Sequence, residues 1–193
     1  MLKEFIDFVD SILPSVSPDI SDRAKEAILQ FEKNGEQLKY MMLNPLEELS
    51  QGDIISRVPF TYFDNDGEQR TFVSEALVLS TSCHIDQKDS IALVPVFPLD
   101  VFEGNIVDLK RNTIFDYMYI PDTRMSGKYI NFEYINTYSK DLIKNGIEDN
   151  KIQRIGSLNQ LGYYLFIVKM TVYLMRKEDN ETLNKRNVGF AYR

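Results

Sequence analysis

Gly52-Asp53-Ile54-Ile55-Ser56-Arg57-Val58-Pro59-Phe60-Thr61-Tyr62-Phe63, followed by Asp64-Asn65-Asp66-Gly67, is the stretch on which the fold turns. Its β-branched and aromatic residues predict a strand, and the Asp/Asn/Gly cluster predicts a tight turn. Arg70-Thr71-Phe72-Val73 then leads into Ala76-Leu77-Val78-Leu79-Ser80, a second strand with a buried end. Ile91-Ala92-Leu93-Val94-Pro95-Val96-Phe97 is a third. Shorter strands fit residues 113–120, 128–135 and 151–155. Short strands at modest spacing predict a small, strongly curved sheet or barrel.

On either side the period is helical. Leu2, Phe5, Ile6, Phe8, Val9, Ile12 and Leu13 form an apolar stripe that Pro14 stops. Ala24, Ala27, Ile28 and Phe31 carry a second amphipathic helix, which Gly35 ends. Leu38, Met41, Met42, Leu43 and Leu46 form a third apolar patch, interrupted by Pro45. Residues 1–50 therefore read as an N-terminal helical arm in need of cover from the main domain, a twin or a partner. Towards the other end, Ser157-Leu158-Asn159-Gln160 matches a capping box, with Ser157 as N-cap. Leu158, Leu161, Leu165, Val168, Val172 and Met175 share one face of the helix that follows. That run falls short of the roughly 20 apolar residues of a membrane span and contains Lys169, so a core helix is expected. The fold class is α+β, mainly β. Its regions are the arm at 1–50, a barrel at 51–176 with an insertion around 98–127, and a polar tail at 177–193.

A length of 193 residues with 44% hydrophobic and 26% charged content is one domain with an appendage. The lone Cys83 excludes an internal disulfide framework and favours a reducing, cytoplasmic setting. The start, Met1-Leu2-Lys3-Glu4-Phe5, lacks the pattern of a signal peptide. The lone His84 excludes any site built on two histidines of one chain, and no metal is expected. Gly127 and Gly156 stand outside any glycine-rich phosphate loop, and no cofactor is expected. A net charge of −7 works against a general polyanion binder. The charge is uneven: residues 1–50 hold 5 Lys and Arg against 10 Asp and Glu, whereas residues 169–193 hold 6 against 3.

In this order the elements resemble the MazF/PemK-like toxins. Gly52-Asp53-Ile54-Ile55 is similar to the opening strand of that family, Ala76-Leu77-Val78-Leu79-Ser80 to its second and Ala92-Leu93-Val94-Pro95-Val96 to its third. Arg154-Ile155-Gly156-Ser157-Leu158 is similar to its late strand and the loop into its terminal helix. The resemblance implies an SH3-like barrel with a C-terminal helix, a homodimer, an antitoxin partner and metal-independent cleavage of RNA. In the family an Arg-Pro step before the second strand supplies the catalytic arginine, and a hydroxyl follows the third. Here Ser74-Glu75 and Phe97-Pro98 stand in those places, so neither catalytic position carries over.

Chemistry is therefore sought elsewhere. Ser80-Thr81-Ser82-Cys83-His84-Ile85-Asp86 gathers a thiol, an imidazole, three hydroxyls and a carboxylate. His84 suits a general acid or base and Cys83 a nucleophile, against the plainer reading of a polar turn with a buried cysteine. Arg124 is the third catalytic candidate, as a replacement for the charge missing beside Glu75. Arg57, Arg70 and Lys128 are candidates for binding RNA phosphates, and Tyr117, Tyr119, Tyr129, Phe132 and Tyr134 for stacking on bases. Two functions stay open: a silent barrel that binds a protein partner or nucleic acid in toxin–antitoxin or antiviral defence, and an endoribonuclease with a relocated site.

Overall fold

The computed structural model describes residues 18–175 and 179–186. Seven antiparallel strands form one sheet: β1 (Asp53–Phe63), β2 (Gln69–Val78), β3 (Ser90–Pro98), β4 (Tyr117–Tyr119), β5 (Lys128–Asn131), β6 (Asn136–Ser139) and β7 (Arg154–Ser157). Their order is β4-β5-β3-β2-β1-β7. β6 pairs with residues 90–93 of β3, and β5 with residues 96–98 of the same strand. The helices are α1 (Pro18–Asn34), α2 (Ser82–Gln87), α3 (Ile106–Lys110), α4 (Lys140–Glu148), α5 (Gln160–Leu174) and α6 (Asn180–Arg186). None among the described residues is long and apolar enough to cross a membrane.

Alternation along the strands builds a core on each face of the sheet. Ile54, Leu77, Val94, Val96 and Ile130 point one way, beneath Leu165 and Phe166 of α5. Ile55, Ala76, Val78, Ile91 and Leu93 point the other way, onto Ile85 of α2 and Ile143 of α4. Such inward alternation is what a sheet covered on both faces requires.

A bulge in β1 curls the sheet. The register passes from Ile55 opposite Ala76 to Val58 opposite Ser74, which leaves one extra residue in β1. Arg57 absorbs the bend at φ 58°, a left-handed conformation uncommon for a residue with a Cβ. The first part of β1 therefore pairs with β7, and the second swings towards β6. There the ladder stays open, and a side chain spans the gap. The Asn136 amide accepts from Thr61 N at 2.8 Å and donates to Thr61 O at 3.2 Å. Two residues on, the Tyr138 hydroxyl donates to Pro59 O at 2.8 Å. The α+β architecture with a curled sheet and a terminal helix is thus present, closed by side chains where backbone pairing stops.

Several local expectations need correction. The stripe at residues 2–13 lies outside the described residues. The second helix is α1, which packs across α5. The third patch is not helical: residues 38–50 form an extended strap joined to the link between β7 and α5 by a Met41–Leu158 bridge, with Leu43 and Leu46 exposed. Pro45 and the capture of the strap's carbonyl groups by side chains outweigh its apolar spacing. Residues 128–135 are not one strand, because a 3-10 turn at Phe132–Tyr134 carries the chain from β5 to β6 along β3. The cap of α5 is Asn159, whose side chain accepts from Gly162 N, and Ser157 instead closes β7. Gly162 is required there, since a Cβ would lie 2.4 Å from Tyr40 O.

Removing the amide that closes the curl should loosen the whole sheet. Asn136→Ala strands the Thr61 amide and carbonyl, and urea unfolding should show a loss of about 1–3 kcal/mol. A loss within error would mean that the curl does not depend on this contact.

Candidate functional site

The positions at which the resemblance is broken come together on the sheet. Glu75 of β2 lies opposite Val96 of β3, and Lys128 of β5 lies opposite Pro98. The Lys128 ammonium sits 2.8 Å from both Glu75 oxygens. Beside them the Ser74 hydroxyl donates to Val96 O. Both charged side chains are about 30% exposed, at 27% and 31%. Arg124 does not reach this place: Lys128 supplies the charge opposite Glu75.

On the other face of β2, aromatic rings run across the sheet. Phe72 and Phe97 lie 5.1 Å apart, and Tyr134 packs edge-on against both. The row continues through Tyr129 to Tyr117. Of the five rings singled out for base stacking, Phe132, Tyr129 and Tyr119 are core, while Tyr117 and Tyr134 are half-buried. The Tyr117 hydroxyl donates to Glu133 at 2.8 Å, which places a carboxylate at this end of the row.

The other cations are held apart, with no partner in common. Arg70 pairs with Asp64 and Glu68 at the β1–β2 turn, each at 2.7 Å. Arg124 donates to the carbonyl oxygens of Met42 and Leu43 in the strap. Exposed Arg57 occupies the bulge and makes no ion pair among the described residues.

The segment after β2 is a short helix, and it corrects the reading of a polar turn with a buried cysteine. Thr81 caps α2, its hydroxyl accepting from His84 N at 3.2 Å. The Ser80 hydroxyl accepts from Ala92 N at 2.9 Å, which ties the segment to β3. Ile85 points into the core, whereas Cys83, His84 and Asp86 are exposed. Neighbouring residues on a helix diverge by about 100°, so Cys83 and His84 do not form a dyad. Neither the thiol nor the imidazole has a hydrogen-bond partner among the described residues. No group of three His, Cys, Asp or Glu there is placed to hold a metal ion.

Two centres were not singled out from the sequence. Asp53 is fully buried and accepts from Arg154 Nη2 at 2.7 Å, from Ser50 N at 3.0 Å and from the Ser157 hydroxyl. Arg154 also donates to Glu47 O and Glu48 O, at 3.0 and 2.9 Å. The Gly-Asp and Arg-Ile-Gly-Ser motifs contained the signal, since each places a polar residue in an apolar strand. The second centre is Lys169 on α5, only 2% exposed, whose ammonium donates to Asn112 O at 2.8 Å and to Ile114 O. Burial lowers its pKa to about 7, against the opposing pull of Asp116. A cleft of about 540 Å³ is lined by Glu32, Glu36, Lys110 and Arg111 together with Phe31 and Tyr119.

No protein-family model matches the chain, and no curated protein matches it. Among solved structures it is similar to an endoribonuclease in complex with its cognate antitoxin from a mycobacterial species. That similarity is at 10% identity and a TM-score of 0.42, over 68% of this chain and 100% of the other. It is similar also to the MazE–MazF complex of Deinococcus radiodurans, at 10% identity and a TM-score of 0.39, over 67% of this chain and 97% of that one.

Both buried centres give measurable expectations. Arg154→Met leaves the Asp53 carboxylate buried without its partner and should cost about 3–5 kcal/mol in urea unfolding. A cost near zero would mean that the pair is dispensable. For Lys169, the unfolded chain keeps its proton up to pH 10.5 while the folded chain releases it near 7. Stability should therefore rise as pH increases between those values, and the gain should be lost as pH falls through 7. Lys169→Met should remove that rise; an unchanged pH profile would exclude Lys169 as its source.

Proposed function

We propose that this chain is a MazF/PemK-like barrel of a toxin–antitoxin or phage-defence setting, which binds a protein partner and does not cleave RNA by the chemistry of that family. The setting comes from the order of sequence motifs. The observation that carries the binding reading is the Glu75–Lys128 ion pair, on the part of the sheet where the family would hold its arginine. Stabilising a phosphorane takes a fixed cation aimed at developing negative charge. Here the cation is already neutralised, and its carboxylate repels an incoming phosphate. Arg70 and Arg124 are likewise engaged with carboxylates and carbonyls of the chain itself. The partner in this reading is an antitoxin or another defence component in the cytoplasm, with the homodimer following from the resemblance.

The second reading, a relocated ribonuclease, draws on the exposure of Cys83 and His84 beside the end of β2. One assay separates the two. Purified protein incubated with a long, mixed-sequence RNA in EDTA should leave it intact. Discrete cuts that vanish in His84→Ala and Arg124→Ala, with melting curves showing both variants folded, would replace the binding reading with the nuclease one. Glu75→Gln should free the Lys128 ammonium and raise RNA affinity severalfold, with the salt dependence steeper by about one ion. Unchanged affinity would mean that this ion pair does not keep phosphate away.

A further inference from the structure

The sheet protects its main-chain edges in three places. Asn136 binds both N and O of Thr61 on the outer side of β1. Asn112 does the same on β4, accepting from Tyr119 N at 2.7 Å and donating to Tyr119 O at 2.8 Å. The strap covers β7, with Met42 N donating to Ser157 O at 2.8 Å. Side-chain amides and covering segments are ways of keeping a strand edge from pairing with another chain.

The first half of β2 has no such cover. β3 pairs only with residues 75–78 of β2, and beyond Val96 it pairs with β5 alone. Pro59 and Thr61 direct their backbone groups away from β2, towards Tyr138 and Asn136. In an antiparallel pair both members of such a position face outward. Their partners Val73 and Thr71 therefore present N–H and C=O on the far side of β2, where no described residue bonds to them. At this edge Val73 is 66% exposed.

We infer that the outer edge of β2 at Thr71–Val73 is a strand-addition site for an extended, basic-ended peptide segment of a partner protein. An alternating row of donors and acceptors matches a peptide backbone, and exposed Val73 offers an apolar contact to a side chain of the added strand. Arg70 pairs with Asp64 and Glu68 at the hairpin tip, and Asp66 in the same turn adds a further carboxylate, so a basic end is favoured there. The same charges disfavour a second copy: antiparallel self-pairing about Thr71 would bring this acidic tip towards Glu75 of the other molecule. The inference names the surface used in the protein-binding reading above and rests on that reading.

The probe is a capped heptapeptide of alternating valine and threonine with lysine at each end, added to the full chain. Amide exchange and chemical shifts at Thr71 and Val73 are followed by NMR. The expected result is slowed exchange at those two amides. Methylating alternate peptide nitrogens should weaken binding about tenfold in one phase and leave it unchanged in the other. Val73→Pro removes an outward N–H without touching the β1 ladder and should weaken binding similarly. Because this variant must fold to be read, the methylated peptides give the same test on the unaltered protein. No slowing in millimolar peptide, or equal effects of both methylation phases, overturns the site. Protection that appears without peptide and grows with protein concentration assigns the edge to a second copy and overturns the partner assignment. Failure of the peptide leaves the binding reading intact, whereas RNA cleavage would remove that reading without changing the peptide result.

Discussion

The Asp53 carboxylate is the constraint around which the rest is arranged. It lies at the start of β1 with no access to water, where an unpaired charge would cost several kcal/mol. Arg154 and Ser157 of β7 and the amide of Ser50 satisfy it. The pairing fixes β7 beside β1, while the guanidinium holds the strap through Nη1 to Glu47 O and through Nη2, shared with Asp53, to Glu48 O. A buried ion pair adds little net stability, but it penalises any register that separates its members. Here the members come from opposite ends of the domain, so the pair specifies how the chain closes.

Closure then depends on polar side chains acting in place of strands. Beyond the bulge β1 has no neighbour on its outer side, and Asn136 and Tyr138 take up the groups left open. Asn112 does the same for β4, and Lys169 secures the loop that contains Asn112 to α5. Each contact satisfies backbone that would otherwise be unpaired beside a core. The curl, the blocked edges and the placement of the loop around Asn112 are therefore parts of one solution.

The fold was legible where spacing and turn chemistry agreed. The first three strands, the Asp64–Gly67 turn, α1 and the terminal helix all follow from residue pattern. The strap was misread because Met41, Met42, Leu43 and Leu46 have apolar spacing, while what holds residues 38–50 is a set of side chains more than 80 positions away. β6 was missed because Asn136-Thr137-Tyr138-Ser139 has few apolar residues, and the polar atoms of Asn136 and Tyr138 are spent on the backbone of β1. Among the candidate site residues, type was legible and company was not. Arg70, Arg124 and Lys128 are cations in suitable places, yet their partners lie in separate turns, straps and strands.

That pattern of engagement joins composition to the proposed role. A chain of net charge −7 begins with an unfavourable field towards RNA, and only concentrated local cations would reverse it. Instead Lys128 meets Glu75, Arg70 meets Asp64 and Glu68, and Arg154 meets Asp53. Each pairing brings the local field nearer neutral, and what then distinguishes the surface is its shape and its hydrogen-bonding groups. An exposed strand edge with apolar neighbours interacts over a few ångströms and does not require long-range attraction. Such an edge suits the recognition of another polypeptide proposed above.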